Sequence, residues 1–181
     1  ADETNVLAML AMARAYISNE QYEFARFILG MVAKQDPANA EMFYLRSLVF
    51  VSTGYKDAAK GDLQKAIDLK PDFLEALNNL GVMELEGGSF EAAKSNLVKA
   101  VALAPESPEI HLNLGEAYRG LREWDKASEH LTKAESLGAD KVSVTLDLAL
   151  LYFAADSMTG KTRIQILEMA RTKFIQYRDL V

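Results

Sequence analysis

Residues 74–107 read LEALNNLGVMELEGGSFEAAKSNLVKAVALAPES, and residues 108–141 read PEIHLNLGEAYRGLREWDKASEHLTKAESLGADK. Laid one above the other, Leu80 matches Leu114, Gly81 Gly115, Ala93 Ala127, Leu97 Leu131 and Ala100 Ala134. Within the first stretch the pattern divides into two amphipathic helices. Leu74 to Glu86 puts Leu77, Leu80 and Gly81 on one face, and Gly87-Gly88 ends it, as glycine does where a chain turns sharply. Phe90 to Leu103 puts Phe90, Ala93, Leu97 and Ala100 at helical spacing. Pro105 stops that helix, because proline lacks the amide hydrogen needed to continue the ladder.

The same spacing extends outward in both directions. Pro37, Pro71 and Pro105 lie 34 residues apart, as do Ala25, Ala59, Ala93 and Ala127, and Leu29, Leu63, Leu97 and Leu131. Small residues recur at Ala13, Ser47, Gly81, Gly115 and Ala149, where two crossing helices need their backbones close. A mostly aromatic column runs Tyr16, Phe50, Tyr118, Tyr152, broken by Glu84. These columns, all in one register, mean a repeat architecture. The units run approximately 6–39, 40–73, 74–107 and 108–141, followed by a divergent unit and cap over 142–181. All of residues 1–181 are taken as one domain.

In the divergent unit, Val142 to Ala155 supplies a first helix, and Asp156 to Gly160 makes a turn about two residues longer than its counterparts. With that allowance Leu167 and Ala170 fall into the leucine and alanine columns. The last helix runs on through Phe174 to Leu180, and a stack of repeats needs an atypical terminal cap. This segment is also basic: residues 157–181 carry net +3, against −9 for the rest. It reads as a cap, with docking or self-association as the alternative role.

Asn79-Leu80-Gly81, Gly88-Ser89-Phe90, Ala93, Leu97, Ala100 and Pro105 resemble the tetratricopeptide repeat (TPR) signature. His111, Leu114, Gly115, Tyr118, Trp124, Ala127, Leu131 and Ala134 repeat it one unit later. The resemblance covers residues 5–140 strongly and the remainder weakly. It implies an all-α fold, a right-handed superhelical solenoid of antiparallel helix pairs. Two departures fall in the second unit: Arg46 stands in a column of Met12, Leu80, Leu114 and Leu148, and Lys56 in an aromatic place that neighbouring Tyr55 could fill.

The 181 residues are 50% hydrophobic and 25% charged, enough apolar material for a sizeable core, with no cysteine for disulfide, thiolate-zinc or redox chemistry. A net charge of −6 argues against nucleic acid, which calls for a basic field. Two histidines do not make a histidine-rich metal site. No window has the roughly 18 apolar residues of a membrane span. The chain starts Ala-Asp-Glu, as a processed protein would. That fits a soluble protein of the cytoplasm, or of a bacterial periplasm or envelope after removal of a leader.

No catalytic constellation emerges, and neither a cofactor nor a metal is expected. Gly160-Lys161-Thr162 resembles the end of a phosphate-binding loop, but the required earlier glycine is Ala155. His111 and His130 fall on successive helices of one unit, where packing accounts for them. Glu84 and Glu86, two apart on a helix, point in different directions. Glu84 itself has two open readings, reaching solvent or pairing with a neighbour. Glu41, Glu75 and Glu109 open the first helices, where they suit the positive helix terminus; an acidic lip for a basic partner is the other reading.

The resemblance implies that the first helices line a concave, partner-binding groove. Its columns put Leu10, Tyr44, Asn78 and Leu112 there, with Asn79 and Asn113 beside them. Further along come Arg14, Leu48, Val82, Glu116 and Leu150, then Val51 and Phe153. So much apolar surface on a helix face directed at solvent calls for a partner. Asn79 and Asn113 resemble asparagines with which some family members hold an extended peptide backbone; hydrogen bonding between repeats is the alternative. The first column holds Leu10, Tyr44, Asn78 and Leu112, and Arg14 and Arg119 stand far apart in the others, so a carboxylate clamp is not expected. The expected function is a non-catalytic adaptor that binds a helix or extended peptide and assists complex assembly, of the kind found in bacterial envelope, pilus or secretion machinery. A self-assembling scaffold and the regulatory domain of a larger protein are its rivals.

Overall fold

The computed structural model describes residues 3–181, with side chains from residue 5 onward. Among the described residues ten helices follow one another: α1 (Glu3–Ser18), α2 (Tyr22–Gln35), α3 (Ala40–Ser52), α4 (Lys56–Leu69), α5 (Leu74–Glu86), α6 (Phe90–Leu103), α7 (Pro108–Gly120), α8 (Trp124–Ser136), α9 (Lys141–Ala154) and α10 (Arg163–Arg178). Apart from one antiparallel bridge between Met158 and Lys161, the regular structure among the described residues is helical. The fold is the all-α solenoid of helix pairs that the period of 34 requires. No described helix is long and apolar enough to cross a membrane.

The two helices of a pair are held by a turn that the backbone itself builds. Gln21, Tyr55, Ser89 and Glu123 donate their amide hydrogens back to the carbonyls of Tyr16, Phe50, Glu84 and Tyr118, at 2.8, 2.8, 2.8 and 2.9 Å. The preceding residues, Glu20, Gly54, Gly88 and Arg122, donate to Ile17, Val51, Leu85 and Arg119. This is a Schellman ending, which puts its pivot residue in the left-handed region. The pivots have φ of 59°, 85°, 71° and 60°. Glycine accepts that conformation freely, whereas Glu20 and Arg122 bear a cost of about 1–2 kcal/mol. At three of the joints between pairs, side chains do the capping. Asn39 accepts from the Met42 amide at 2.9 Å, Asp140 from the Ser143 amide at 2.8 Å, and Ser107 caps α7 with Pro108 in its first turn.

The chain packs as two compact units, residues 1–80 and 81–181, with the boundary inside α5. In the first, α1 lies against α2 and α3, and α3 against α4. Ala13, Ala25, Leu29, Val49, Ala59 and Leu63 are sealed in its core. Arg46 is not a misplaced core residue. Its guanidinium makes two parallel bonds to the buried carboxylate of Asp62, at 2.6 and 2.8 Å, and lies over the rings of Phe43 and Phe50. Tyr55 meets Phe50 edge-on, filling the aromatic role that Lys56 leaves open.

The second unit has one continuous core running from Ala93 and Leu97 through Leu114, Leu131 and Leu148 to Ile166 and Ala170. The small column works as expected: a Cβ on Gly115 would sit 2.8 Å from two carbons of Leu131. Glu84 interrupts the aromatic column in company with Asn96, whose amide donates to its carboxylate at 2.9 Å. One repeat later the same two places hold Tyr118 and His130, stacked with centroids 5.4 Å apart. The last turn is tied back to α8. Trp124 Nε1 donates to Asp156 at 2.7 Å, and the backbone amide and hydroxyl of Thr159 donate to Asp125. These ties set α10 in a different register from the expected one. Ile166 is fully buried in the leucine place while Leu167 is 39% exposed; Ala170 is buried as expected.

Candidate protein-binding face

In the first unit, α1 and α3 carry the expected face. Arg14 reaches across from α1 to Glu41 on α3, with Nη2 donating to Oε1 at 2.7 Å. That bond holds the guanidinium charged beyond its ordinary range, with burial opposing it. Leu10 and Tyr44 are corrections to the expected open surface, for both are buried. Leu10 is enclosed where α1 packs on α2 and α3. Tyr44 is held by Phe73, with ring centroids 5.0 Å apart, and its phenol is hydrogen-bonded by Asn79. Burial, and then the Glu75 carboxylate, push that phenol's pKa up; Arg14 and Asn79 pull the other way. The Asn79 amide therefore serves a bond within the stack. Leu48 and Asn78 are half-buried and Val51 is exposed.

In the second unit, Val82 from α5, Leu112 and Asn113 from α7, and Leu150 from α9 are half-buried or exposed. Glu116 is exposed and pairs with Arg119 one turn on, at 3.4 Å. Asp147, on the same column as Asn113, faces this pair. Its carboxyl pKa is raised, first by burial and then by Glu116, with Arg119 opposing. The second unit thus presents apolar side chains beside two carboxylates that repel each other and one cation that only partly offsets them.

Phe153 does something further. It is exposed and meets Phe174 of α10 edge-on at 6.3 Å. With Leu167, Ala170, Arg171, Phe174, Ile175 and Arg178 it lines a groove of about 480 Å³ along α9 and α10. The 34-residue columns do not mark this groove. The available signal was the composition of α10, where Ile164, Leu167, Phe174 and Ile175 exceed what one buried stripe requires.

The histidines form a closed pair. His111 Nε2 lies 3.0 Å from the Pro105 carbonyl, and its Nδ1 lies 2.9 Å from His130 Nδ1. A carbonyl only accepts, so His111 carries its proton on Nε2 and accepts at Nδ1 from His130 Nδ1–H. Burial, and then His111, push the His130 pKa down; Glu129 opposes. The Thr162 hydroxyl of the phosphate-loop look-alike caps α10 in a reciprocal box with Gln165.

Comparison with known proteins agrees with this architecture. Two sequence models described as tetratricopeptide repeat match residues 49–108 and 84–141, together just over half of the chain. Among solved structures, the one titled "Functional Characterization of Pseudomonas Aeruginosa pilF" is 22% identical with a TM-score of 0.76, covering 98% of this chain and 77% of that one. MamA from Desulfovibrio magneticus RS-1, residues 41 to the end, is 20% identical with a TM-score of 0.82, covering 99% and 96%. MamA of AMB-1 is 18% identical with a TM-score of 0.81, covering 98% and 99%. At these identities the likeness is one of fold. The repeat columns, the helix pairs and the matching sequence models agree: the chain belongs to the tetratricopeptide repeat family, a family of protein-interaction adaptors and scaffolds.

Proposed function

We propose that the chain is a non-catalytic adaptor. In this reading residues 1–181 work as one domain, and the first helices hold a helix or extended segment of a partner protein during assembly of a larger complex. The observation that carries this reading is the face formed by Leu112, Asn113, Glu116 and Leu150, which the packing of the second unit leaves half-buried or exposed. Val82 belongs to it, and Arg14, Leu48, Val51 and Asn78 are its counterparts in the first unit. Buried anchors carry most of the energy in such contacts. Leu112 and Leu150 are the anchors here, with Glu116 and Asp147 selecting a basic side chain on the partner. The carboxyl pKa of Asp147 is raised first by burial and then by Glu116, and an incoming cation would favour its charged form against both. A place in bacterial envelope, pilus or secretion machinery is part of the same proposal.

Site-specific photocrosslinking in the native source tests this reading. A benzophenone side chain at Leu112 should give an adduct with one protein, and the same group at the exposed Lys99 of α6 should not. Equal labelling from both sites, or no adduct from Leu112, would remove the face as the working site.

A further inference from the structure

α2 carries a row of side chains that the later second helices α4, α6 and α8 do not. Phe24, Phe27 and Met31, at helical spacing, are 60%, 67% and 37% exposed. The same three places hold Ala58, Gly61 and Lys65 in α4, Ala92, Ser95 and Lys99 in α6, and Lys126, Glu129 and Lys133 in α8. All of these are exposed except Lys133, which is half-buried. α4 follows the pair α1 and α2, and α8 follows α6 and α7. The places therefore face solvent in helices that have other helices before them, and the exposure of the α2 row belongs to the place rather than to the start of the chain. The residues are what is unusual, because a solvent-facing helix side is ordinarily polar.

The row has relief and a charge order. Phe24 lies on Tyr16 of α1, the rings stacked with centroids 5.4 Å apart; in α8 the same place puts the Lys126 ammonium 5.2 Å from the centre of the Tyr118 ring. Phe27 stands out from the helix, and Gly30 leaves a notch beside it, with nothing within 4 Å of where its Cβ would sit. Bulk beside a notch is what helices use to pack on one another, ridge into groove. Glu23, Phe27, Gly30 and Lys34 follow at i, i+4, i+7 and i+11, so they share one side, with the carboxylate in the first turn and the ammonium in the last. A helix that lies on lipid asks for cationic flanks. Here one of the two cations of α2, Arg26, is bonded to Glu23 at 3.1 Å.

We propose that this row docks an amphipathic helix of a second protein, running antiparallel to α2. Helices favour acidic residues in the first turn and basic ones in the last. In the antiparallel sense the partner's acid meets Lys34 and its base meets Glu23, so charge selects the direction. The partner's apolar stripe needs a small residue opposite Phe27 and a bulky one for the notch at Gly30. From Phe24 to Met31 the row spans about 10 Å along the axis, which two to three turns of the partner would cover. It uses none of the residues of the Leu112 face, and the two assignments stand or fall separately.

Photocrosslinking followed by peptide binding tests this. A benzophenone side chain at the exposed Gln35, one turn beyond Met31, should give an adduct in the native source that maps to a segment of another protein with apolar residues at helical spacing. A synthetic peptide of the mapped segment should bind the purified chain. Phe24→Ala/Phe27→Ser/Met31→Lys, which installs the residues that α6 has at these places, should weaken that binding at least about 30-fold. Leu112→Glu should leave it unchanged. If the triple variant loses its helical spectrum, Phe27→Ser alone serves, with a loss of at least about fivefold. An adduct with a second copy of this chain or with lipid, no adduct at all, equal affinity for the wild type and the row variant, or a loss of binding through Leu112→Glu would each overturn the proposal.

Discussion

At the scale of single residues, the departures from the repeat pattern come in coupled sets. Arg46 is tolerable in a core column because Asp62 stands opposite it, and Asp62 can be buried because Arg46 bonds both of its oxygens. Removing one partner should be far worse than removing both. Arg46→Leu leaves the Asp62 carboxylate buried and unpaired, and should cost about 3 kcal/mol in urea unfolding. The double variant Arg46→Leu/Asp62→Leu should return to within about 1 kcal/mol of wild type. A double variant as unstable as the sum of the singles would show that the pair is not the coupled unit described. Thr145 is a simpler case. Its hydroxyl is buried with no hydrogen-bond partner, in the column that holds His111 one repeat earlier. Thr145→Val should therefore raise stability by about 1 kcal/mol, and a loss of stability in the same titration would mean the hydroxyl is satisfied.

At the scale of helices and their pairing, the fourth repeat carries a titratable joint. α7 and α8 meet through His111 and His130, with Tyr118 stacked on His130 and Lys126 over the Tyr118 ring. The His130 pKa is lowered in the folded state, so the folded chain binds fewer protons there than the unfolded chain. Its contribution to stability is complete above the unfolded value of about 6.5 and is lost as pH falls from there through the depressed folded value. Urea midpoints should therefore drop between pH 7 and pH 5. His130→Asn, which installs the residue found at the same place in Asn96, should flatten that dependence; an unchanged slope would assign it to other groups. Helix pairs were legible in the sequence because their signals are local. Glycine at Gly88, proline at Pro105 and the 34-residue columns lie within a few residues of the features they specify. The register of α10 was not legible, because it depends on where Asp156 and Thr159 are anchored to Trp124 and Asp125, more than thirty residues away.

At the scale of the molecule, a column identifies which side of a helix a residue is on but not how deeply its neighbours cover it. Leu10 and Leu112 share a column, yet Leu10 is buried and Leu112 only half-buried. Tyr44 belongs to the same column and is lost to the core through Phe73 and Asn79. The candidate face in the second unit was legible as a set of positions, whereas its electrostatic imbalance at Glu116 and Asp147 required the folded geometry. The adaptor reading stands or falls on that face. Once the partner crosslinked at Leu112 is identified, its dissociation constant should be measured for the wild type, for Leu112→Glu/Leu150→Glu and for the exposed α6 control Lys99→Glu. Two lost anchors should weaken binding by at least about 30-fold, with Lys99→Glu unchanged and all three chains equally helical. Equal affinity for the wild type and the double variant would contradict the assignment of the Leu112 and Leu150 face as the binding surface.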